Sequence, residues 1–521
     1  MNGPAALRLN KTNMQTPDVR MAPVRGWLAL VFVLHALLGA NLGLSVDEAH
    51  YALYAVHPAL SYFDHPPLVG WVQWPLVALD APTLLLRLVP GLLWLGTVLL
   101  VHRLALRLCA QPALAPRAAW WSVAVLLLAP LLHILGISLL PDTLLMLWSV
   151  ALLLQTLRLL EPQHAARPAQ WLLLGLLLGL AGLSKYTAIF TALAVALCLL
   201  RAHGVALLRN PWLWVGTLLA LALVSPVLVW NLQNHWVSFV YQSQHGAGGD
   251  WRALNLLRFV LVQLLAFGPL LCWGAVGLRG VAPAHRLLVL FFAIPFAVLA
   301  ALSGGGTSLP HWTAPAWVAL APFAGIGLAL ALARGKAYAA RVLVLLQALA
   351  CVGLPAIMLS AGMPFMAGKS ASAESTDAPN PFADLHGWDL AGARARQLAA
   401  QQGLDAVAVQ NWTLASRIGW YARPLKVHVL EDRFDQFDLW AGKLAPGGSA
   451  LLVDWSQLPY ETPLGPHGFA QCTMLDRLPV QRLGYDLAHF DFYACSGWSG
   501  QPQPRLKSAA AQKAEAAAAP H

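Results

Sequence analysis

The sequence has little charge. Only 11% of its 521 residues are Asp, Glu, Lys or Arg, whereas a soluble domain carries about 25%. Hydrophobic residues make up 58% of the chain, and the mean hydropathy is +0.60. A large water-soluble protein needs a more polar surface. The composition therefore predicts many membrane spans, each with about 20 mainly apolar residues.

The sequence also lacks a long basic cluster, although its formal net charge is +10. A protein that binds a duplex needs several Lys and Arg side chains against the phosphates. We therefore expect no nucleic-acid partner. The excess of positive charge is instead typical of the cytoplasmic loops of an inner-membrane protein.

Cysteine is scarce, with six residues and no metal-binding spacing. Four of them lie in or beside apolar runs and are expected to be small buried hydrophobes: Cys109, Cys198, Cys272 and Cys351. Cys472 and Cys495 lie in a polar C-terminal region instead. A disulfide between them is expected if this region is exported.

The apolar residues form about eleven segments, near 26–44, 84–108, 117–137, 139–160, 170–185, 187–203, 211–231, 254–276, 286–303, 311–333 and 340–362. No small-residue cleavage motif follows the first segment, so we expect it to remain as a span. Lys and Arg concentrate in alternate loops. This pattern predicts a cytoplasmic N-terminus, and an odd number of spans puts the C-terminal region outside.

The composition divides the chain into five parts. We predict an all-α polytopic membrane protein of about eleven spans, within a range of 11–13, with a small α/β C-terminal domain outside the cytoplasm. The predicted parts are a tail at 1–25, a membrane domain at 26–362, a linker at 363–383, the outer domain at 384–500 and a disordered tail at 501–521. An outer loop at 45–83 within the membrane domain reads as interfacial helices.

Asp47 and Glu48 stand side by side at the outer end of the first span. A carboxylate at this position is costly unless it is hydrated or paired. The alternatives are a helix-end charge and a general base, which must stay ionised and reach a hydroxyl proton. Because adjacent residues cannot share one helical face, we predict Asp47 as the base and Glu48 as a second catalytic residue in a supporting or acceptor-binding role.

Further motifs follow this acidic pair in a fixed order, and together they resemble the family 39 glycosyltransferases, which include aminoarabinose transferases and protein mannosyltransferases. The motifs are Phe63-Asp64-His65-Pro66-Pro67-Leu68, Leu140-Pro141-Asp142-Thr143, Gly182-Leu183-Ser184-Lys185-Tyr186, the stretch from Pro226 to Phe239, and Pro310-His311-Trp312. The resemblance covers residues 26–360.

The resemblance implies a C-type glycosyltransferase fold with a cavity that opens to the outer face. It also implies an inverting transfer of a sugar from a polyprenyl-phosphate donor to an envelope acceptor, which is lipid A, a glycan or a protein. The implied location is the periplasmic face of a bacterial inner membrane. A lipid transporter or flippase and a non-catalytic protein that binds lipid-linked sugar remain the alternative hypotheses.

Four basic side chains are candidates for the donor phosphate: Lys185, His65, Arg252 and Arg258. A fixed cation would stabilise the charge that develops on the leaving phosphate. His65 stands where many family members carry Lys, and a neutral histidine brings no charge. Three explanations stay open: Asp64 keeps His65 protonated, a metal replaces the charge, or Lys185 serves the phosphate largely alone.

The remaining candidates are polar residues near the outer surface. Asp142 is predicted as a second catalytic acid near Asp47, although a carboxylate at a helix N-terminus is favourable by itself. We predict five substrate-binding residues: His50, Tyr62, Gln242, Gln244 and His311. Carboxylate and imidazole ligands would suit a divalent metal, and the candidate set is Asp64, His65 and His235.

Overall fold

The computed structural model describes residues 22–247, 249–306, 308–362 and 380–502. Most of the predicted N-terminal tail, most of the linker and nearly all of the C-terminal tail lie outside the described residues. Helices dominate up to residue 362, and a mixed domain of helices and strands follows from residue 380.

The membrane part begins with nine helices. They are α1 (Ala22–Asn41), α2 (Val46–Val56), α3 (Leu68–Trp71), α4 (Trp74–Ala78), α5 (Thr83–Leu108), α6 (Ala115–Leu127), α7 (Pro130–Ile137), α8 (Pro141–Leu159) and α9 (Pro162–Ala165). The short helices α2, α3 and α4 occupy the predicted outer loop. The predicted helices of this loop are therefore present, and their position at the membrane interface stays a prediction.

Nine more helices complete the membrane part. They are α10 (Pro168–Ser184), α11 (Ala188–His203), α12 (Pro211–Gln233), α13 (Val237–Ala247), α14 (Ala253–Phe267), α15 (Gly274–Gly277), α16 (Leu290–Ser303), α17 (Ala314–Ala333) and α18 (Tyr338–Ser360). Helix α17 is buried along nearly its whole length and forms the centre of the bundle.

The chain is a multi-span membrane protein. Among the described residues, eight helical segments are long and apolar enough to cross a membrane, and up to ten if each of two bent pairs counts as one span. Each of the eleven predicted segments falls on one of these elements or on α10. The count by length is lower than expected because α10 has 17 residues and a full span needs about 20.

Both bent pairs break at proline. Helices α6 and α7 meet at 74°, with Pro130 as the first residue of α7. The second pair bends by 98° where Pro269 follows Gly268. Proline lacks an N–H donor and disfavours helical geometry in the preceding residue, so a helix ends at each of these positions.

The C-terminal domain contains three helices and one sheet. The elements are α19 (Trp388–Gln402), β1 (Ala406–Val409), α20 (Trp412–Tyr421), β2 (Lys426–Val429), α21 (Gln436–Trp440), β3 (Ala450–Trp455), β4 (Phe469–Arg482) and β5 (Tyr485–Trp498). The strand order is β2-β1-β3-β5-β4. The first three strands are parallel, and β5 is antiparallel to both β3 and β4. The predicted disulfide is present, and it joins Cys472 to Cys495 across β4 and β5.

The C-terminal domain rests on helix α2 of the outer loop. One hydrophobic core contains Ala52 and Leu53 of α2 together with Leu414 and Ile418 of α20. Polar contacts reinforce this packing, since the Tyr421 hydroxyl accepts a hydrogen bond from the backbone N–H of Leu44 at 2.8 Å. The outer loop is therefore held between the membrane helices and the C-terminal domain.

Candidate active site

A cavity of about 400 Å³ lies where the outer loop, the membrane helices and the C-terminal domain meet. Its polar lining includes six of the predicted site residues: Asp47, Asp64, His65, Lys185, Gln242 and His311. Its apolar lining consists of Ile189, Phe190, Leu299, Leu302 and Leu309. Aromatic side chains complete the wall: Tyr51, Tyr186, Tyr241, Trp312 and Trp412. A cavity with a charged part and an apolar part suits an amphiphilic ligand.

Asp47 lies in the first turn of α2. Ser45 caps this helix through a reciprocal pair of hydrogen bonds with Glu48, an arrangement that fixes where the first turn begins. The N-terminal end of a helix dipole favours a negative charge. The local sequence therefore stabilises a carboxylate at the cavity wall.

The described hydrogen bonds and ion pairs engage Asp64 and Asp142 but leave the Asp47 carboxylate without such a partner. Burial raises the pKa of Asp47, and the nearby His311 and His50 oppose this rise. A carboxylate with a raised pKa is a stronger base toward a hydroxyl proton.

Asp64 is held firmly by its neighbours. The Tyr54 hydroxyl donates a hydrogen bond to its carboxylate, and the Nε2 atom of His50 lies 3.5 Å from the same oxygen. Burial by itself would raise the pKa of Asp64, but His50, His65 and Tyr54 lower it by more. The net pKa lies below the ordinary range, so Asp64 stays ionised.

His65 lines the cavity without contributing a charge at neutral pH. Burial lowers its pKa to about 4, although Asp64 acts in the opposite direction. Its Nδ1 atom is buried and has no hydrogen-bond partner in the described part of the chain. The lowered pKa favours the other two explanations for the missing cation, a metal or Lys185 alone, over the one in which Asp64 keeps His65 protonated.

Lys185 forms a buried ion pair with Asp142. The two oxygens of Asp142 lie 2.6 and 2.7 Å from the ammonium nitrogen, and both side chains are at most 5% exposed. The Nε2 atom of His311 is 3.8 Å from the same carboxylate, and Lys185 lies 5.7 Å from the ring centre of Trp312. Asp142 therefore positions Lys185, the one lysine among the described residues of the cavity wall.

Two predicted site residues bond to other groups of the protein and do not line the cavity. Glu48, predicted as catalytic or acceptor-binding, is 4% exposed and accepts hydrogen bonds from Nε and Nη2 of Arg87 at 2.9 Å. Tyr62, predicted to bind substrate, is fully buried and donates to the carbonyl of Tyr54 at 2.7 Å. Both groups have hydrogen-bond partners inside the protein, and neither residue lines the cavity.

His50 and Gln242 support the site through neighbouring groups. His50 is buried and contacts Asp64 on one side and the Ser416 hydroxyl, at 3.1 Å, on the other. The amide of Gln242 donates to the backbone carbonyl of Asp64 at 2.6 Å. Both residues therefore fix the loop that carries Asp64.

Several other predicted residues lie outside the cavity lining. Arg252 and Gln244 are exposed, and Arg258 borders a separate cavity of about 290 Å³. His235 is exposed with a positive φ of 55° and does not join Asp64 and His65. Among the residues that the structure describes, no group of three or more His, Cys, Asp or Glu side chains could hold a metal ion.

Sequence reasoning gave no role to Tyr51, Tyr241 or Trp412 of the cavity wall and did not find the role of Arg87. Arg87 stands at the start of a long apolar helix, and a buried arginine there is a signal for a partner such as Glu48. Trp412 comes from the C-terminal domain, more than 300 positions after Asp47 in the chain. A contact at that sequence separation leaves no local pattern.

The bundle of apolar helices, the amphiphilic cavity at its end and the α/β domain above it define a C-type membrane glycosyltransferase fold. The chain aligns with the crystal structures of ArnT from Cupriavidus metallidurans. The apo form gives a TM-score of 0.57 at 16% identity and covers 92% of this chain and 100% of that one. The form bound to undecaprenyl phosphate gives 0.57 at 15% identity, with 91% and 98% covered.

Sequence comparisons agree with the fold. Residues 64–230 match the family model of the dolichyl-phosphate-mannose-protein mannosyltransferases. The lipid A galacturonosyltransferase RgtD of Rhizobium johnstonii is 25% identical over 316 residues, which are 57% of this chain and 64% of that protein. The resemblance to family 39 glycosyltransferases that the ordered motifs predict is thereby confirmed. This chain aligns with slightly less than two thirds of that relative.

Proposed function

We propose that the protein is an inverting glycosyltransferase that moves a sugar from a polyprenyl-phosphate donor to an acceptor in the cell envelope. One observation carries the proposal. Asp47, the carboxylate of the cavity that no described hydrogen bond or ion pair engages, faces the same space as Lys185 and an apolar wall. A base, a cation and a lipid surface are the three elements that this reaction needs.

The donor would lie along the cavity with its lipid on the apolar side. The side chains of Phe190, Leu299 and Leu302 suit a polyprenyl tail. Lys185 would stabilise the charge on the leaving phosphate. Because burial lowers the pKa of His65, Lys185 would carry this task almost alone within the cavity, although Asp142 offsets part of its charge.

The transfer would follow a single displacement. Asp47 takes the proton of the acceptor hydroxyl as its oxygen forms a bond to the anomeric carbon of the sugar. The bond between that carbon and the phosphate oxygen breaks, and its electron pair leaves with the lipid phosphate. Attack opposite the leaving group inverts the anomeric configuration.

The names of two similar proteins support the donor and acceptor classes that we propose. ArnT has been solved with undecaprenyl phosphate, and RgtD is a lipid A galacturonosyltransferase. These names support undecaprenyl phosphate as the carrier and lipid A as the first acceptor to test. The disulfide between Cys472 and Cys495 supports a periplasmic location for the C-terminal domain, because disulfides persist in oxidising compartments.

The test uses purified protein in detergent with undecaprenyl-phosphate sugars that carry a radiolabel in the sugar, and with lipid A as acceptor. A panel of sugars that includes galacturonic acid identifies the donor. We expect label on the acceptor and release of undecaprenyl phosphate in equal amounts. Movement of the intact donor between the leaflets of a vesicle, without cleavage of its sugar, would instead show a transporter.

A further inference from the structure

The cavity wall includes one aromatic side chain from the C-terminal domain. Trp412 is half-buried and is the single lining residue that the described segment 380–502 contributes. Its ring packs against His50 at 5.6 Å between centroids, with the planes 74° apart. Since His50 contacts Asp64, one residue links Trp412 to a carboxylate that also lines the cavity.

The position of Trp412 is built into the domain. It is the first residue of α20, directly after Asn411, whose side chain accepts hydrogen bonds from the backbone N–H groups of Thr413 and Leu414 at 3.0 Å. The Ser416 hydroxyl, one helical turn further on, contacts His50. A capped helix that is bonded to α2 holds the indole ring in a defined place.

The chemistry of this wall suits a sugar ring. Carboxylates accept hydrogen bonds from sugar hydroxyls, and an aromatic face carries the negative side of the ring quadrupole. The C–H bonds on one face of a pyranose are weakly positive and pack against such a surface. An indole that lines the same cavity as Asp47 and Asp64 can therefore act together with carboxylates that bind the sugar hydroxyls.

We infer that Trp412 is a sugar-binding residue, so that the C-terminal domain completes the active site with a stacking surface for the donor or the acceptor sugar. This inference rests on the proposed function and goes further, because it assigns substrate recognition to the domain outside the membrane. The membrane part then supplies the base and the cation, and the C-terminal domain supplies part of the sugar selectivity.

The test measures binding of two probes to purified full-length protein: undecaprenyl phosphate, and the undecaprenyl-phosphate sugar that the wild type transfers fastest. The wild type should bind the sugar-loaded form more tightly. Trp412→Ala should weaken binding of the sugar-loaded form about tenfold, which corresponds to one aromatic contact of about 1.4 kcal/mol. Binding of undecaprenyl phosphate should stay unchanged, and Trp412→Phe should keep most of the preference.

A second arm separates donor from acceptor. If donor binding is unchanged but the KM for lipid A rises in Trp412→Ala, the stacked sugar belongs to the acceptor, and the inference stands. The matched control is Trp440→Ala, because Trp440 stacks on His57 at 4.9 Å between the same two parts of the molecule but does not line the cavity. This control should keep both probe affinities.

Equal weakening of both probes by Trp412→Ala, or wild-type values in both arms, would overturn the inference. So would the same selective loss in Trp440→Ala, since it would trace the effect to domain docking. These outcomes differ from failure of the proposed function, in which the wild type itself transfers no sugar.

Discussion

Asp142 sets the position of Lys185 and the net charge around it. Sequence reasoning treats Lys185 as a phosphate ligand and Asp142 as a catalytic acid. The structure places them 2.6 Å apart and nearly fully buried. Asp142 thus fixes the cation at the cavity and lowers the net charge that a phosphate would meet.

This pair gives a prediction about stability. Lys185→Met leaves a buried carboxylate without its partner, and such a loss costs about 3–5 kcal/mol. We expect the Tm of the purified variant to fall clearly and sugar transfer to be lost. Adding Asp142→Asn should restore most of the Tm but no transfer. A Lys185→Met variant with the same Tm as the wild type would contradict the conclusion that the two side chains stabilise each other as a buried ion pair.

The candidate site could be predicted from sequence only where the chemistry is local. Asp47, Lys185 and His311 belong to recognisable motifs, and they line one cavity. Glu48 has a carboxylate like its neighbour Asp47, but its role is set by the hydrogen bond from Arg87, which is 39 positions away in the sequence. Trp412 reaches the cavity only because a separate domain packs against the membrane part, so no local sequence pattern predicts its position there.

Among the strands, β3 carries a half-buried carboxyl group, Asp454, whose cost in stability depends on pH. Burial raises the pKa of Asp454 from an ordinary value of 3.8 to about 7, and Asp491 on β5 adds to this rise. Its Oδ1 atom is buried and lacks a described partner. The folded state therefore binds the proton more tightly than the unfolded chain.

A pH dependence follows from this linkage. Between about pH 4 and about pH 7 the unfolded chain has already lost the proton that the folded state keeps, so stability falls as the pH rises through this window. Asp454→Asn removes the titration. Thermal scans measure the Tm of the variant and of the wild type at about pH 5 and at about pH 8. We expect the Tm of the variant minus that of the wild type to be larger at about pH 8 than at about pH 5. An equal Tm difference at both pH values would contradict the assignment.

Hydropathy predicts where the membrane helices lie but not where they bend. All eleven apolar segments coincide with helical elements, because a long run of apolar residues can satisfy its backbone in a membrane as a helix. Hydropathy does not detect the bends of 74° and 98°, because a proline within an apolar run leaves the mean hydropathy high. Strands β1 and β3 are short, buried and predictable from sequence, but the 14-residue strands β4 and β5 and the order β2-β1-β3-β5-β4 depend on long-range pairing.

For the molecule as a whole, the distribution of charge sets the orientation. We propose that the N-terminus and the loop with Arg334, Lys336 and Arg341 are cytoplasmic and that the C-terminal domain is periplasmic. Alkaline phosphatase fused after Pro502 should be active in cells, because it folds only outside the cytoplasm. The same reporter inserted after Lys336 is the control and should be inactive. The reverse pattern would contradict the proposed orientation.

The central claim is that Asp47 is the base of a sugar transfer in this cavity. The most direct measurement compares the wild type with Asp47→Asn, a change that keeps the size of the side chain and removes the charge. Donor binding and single-turnover transfer are measured on the same purified samples. We predict unchanged affinity for the undecaprenyl-phosphate sugar and a transfer rate lower by about 10²–10⁴-fold. Transfer at the wild-type rate by Asp47→Asn would contradict the claim.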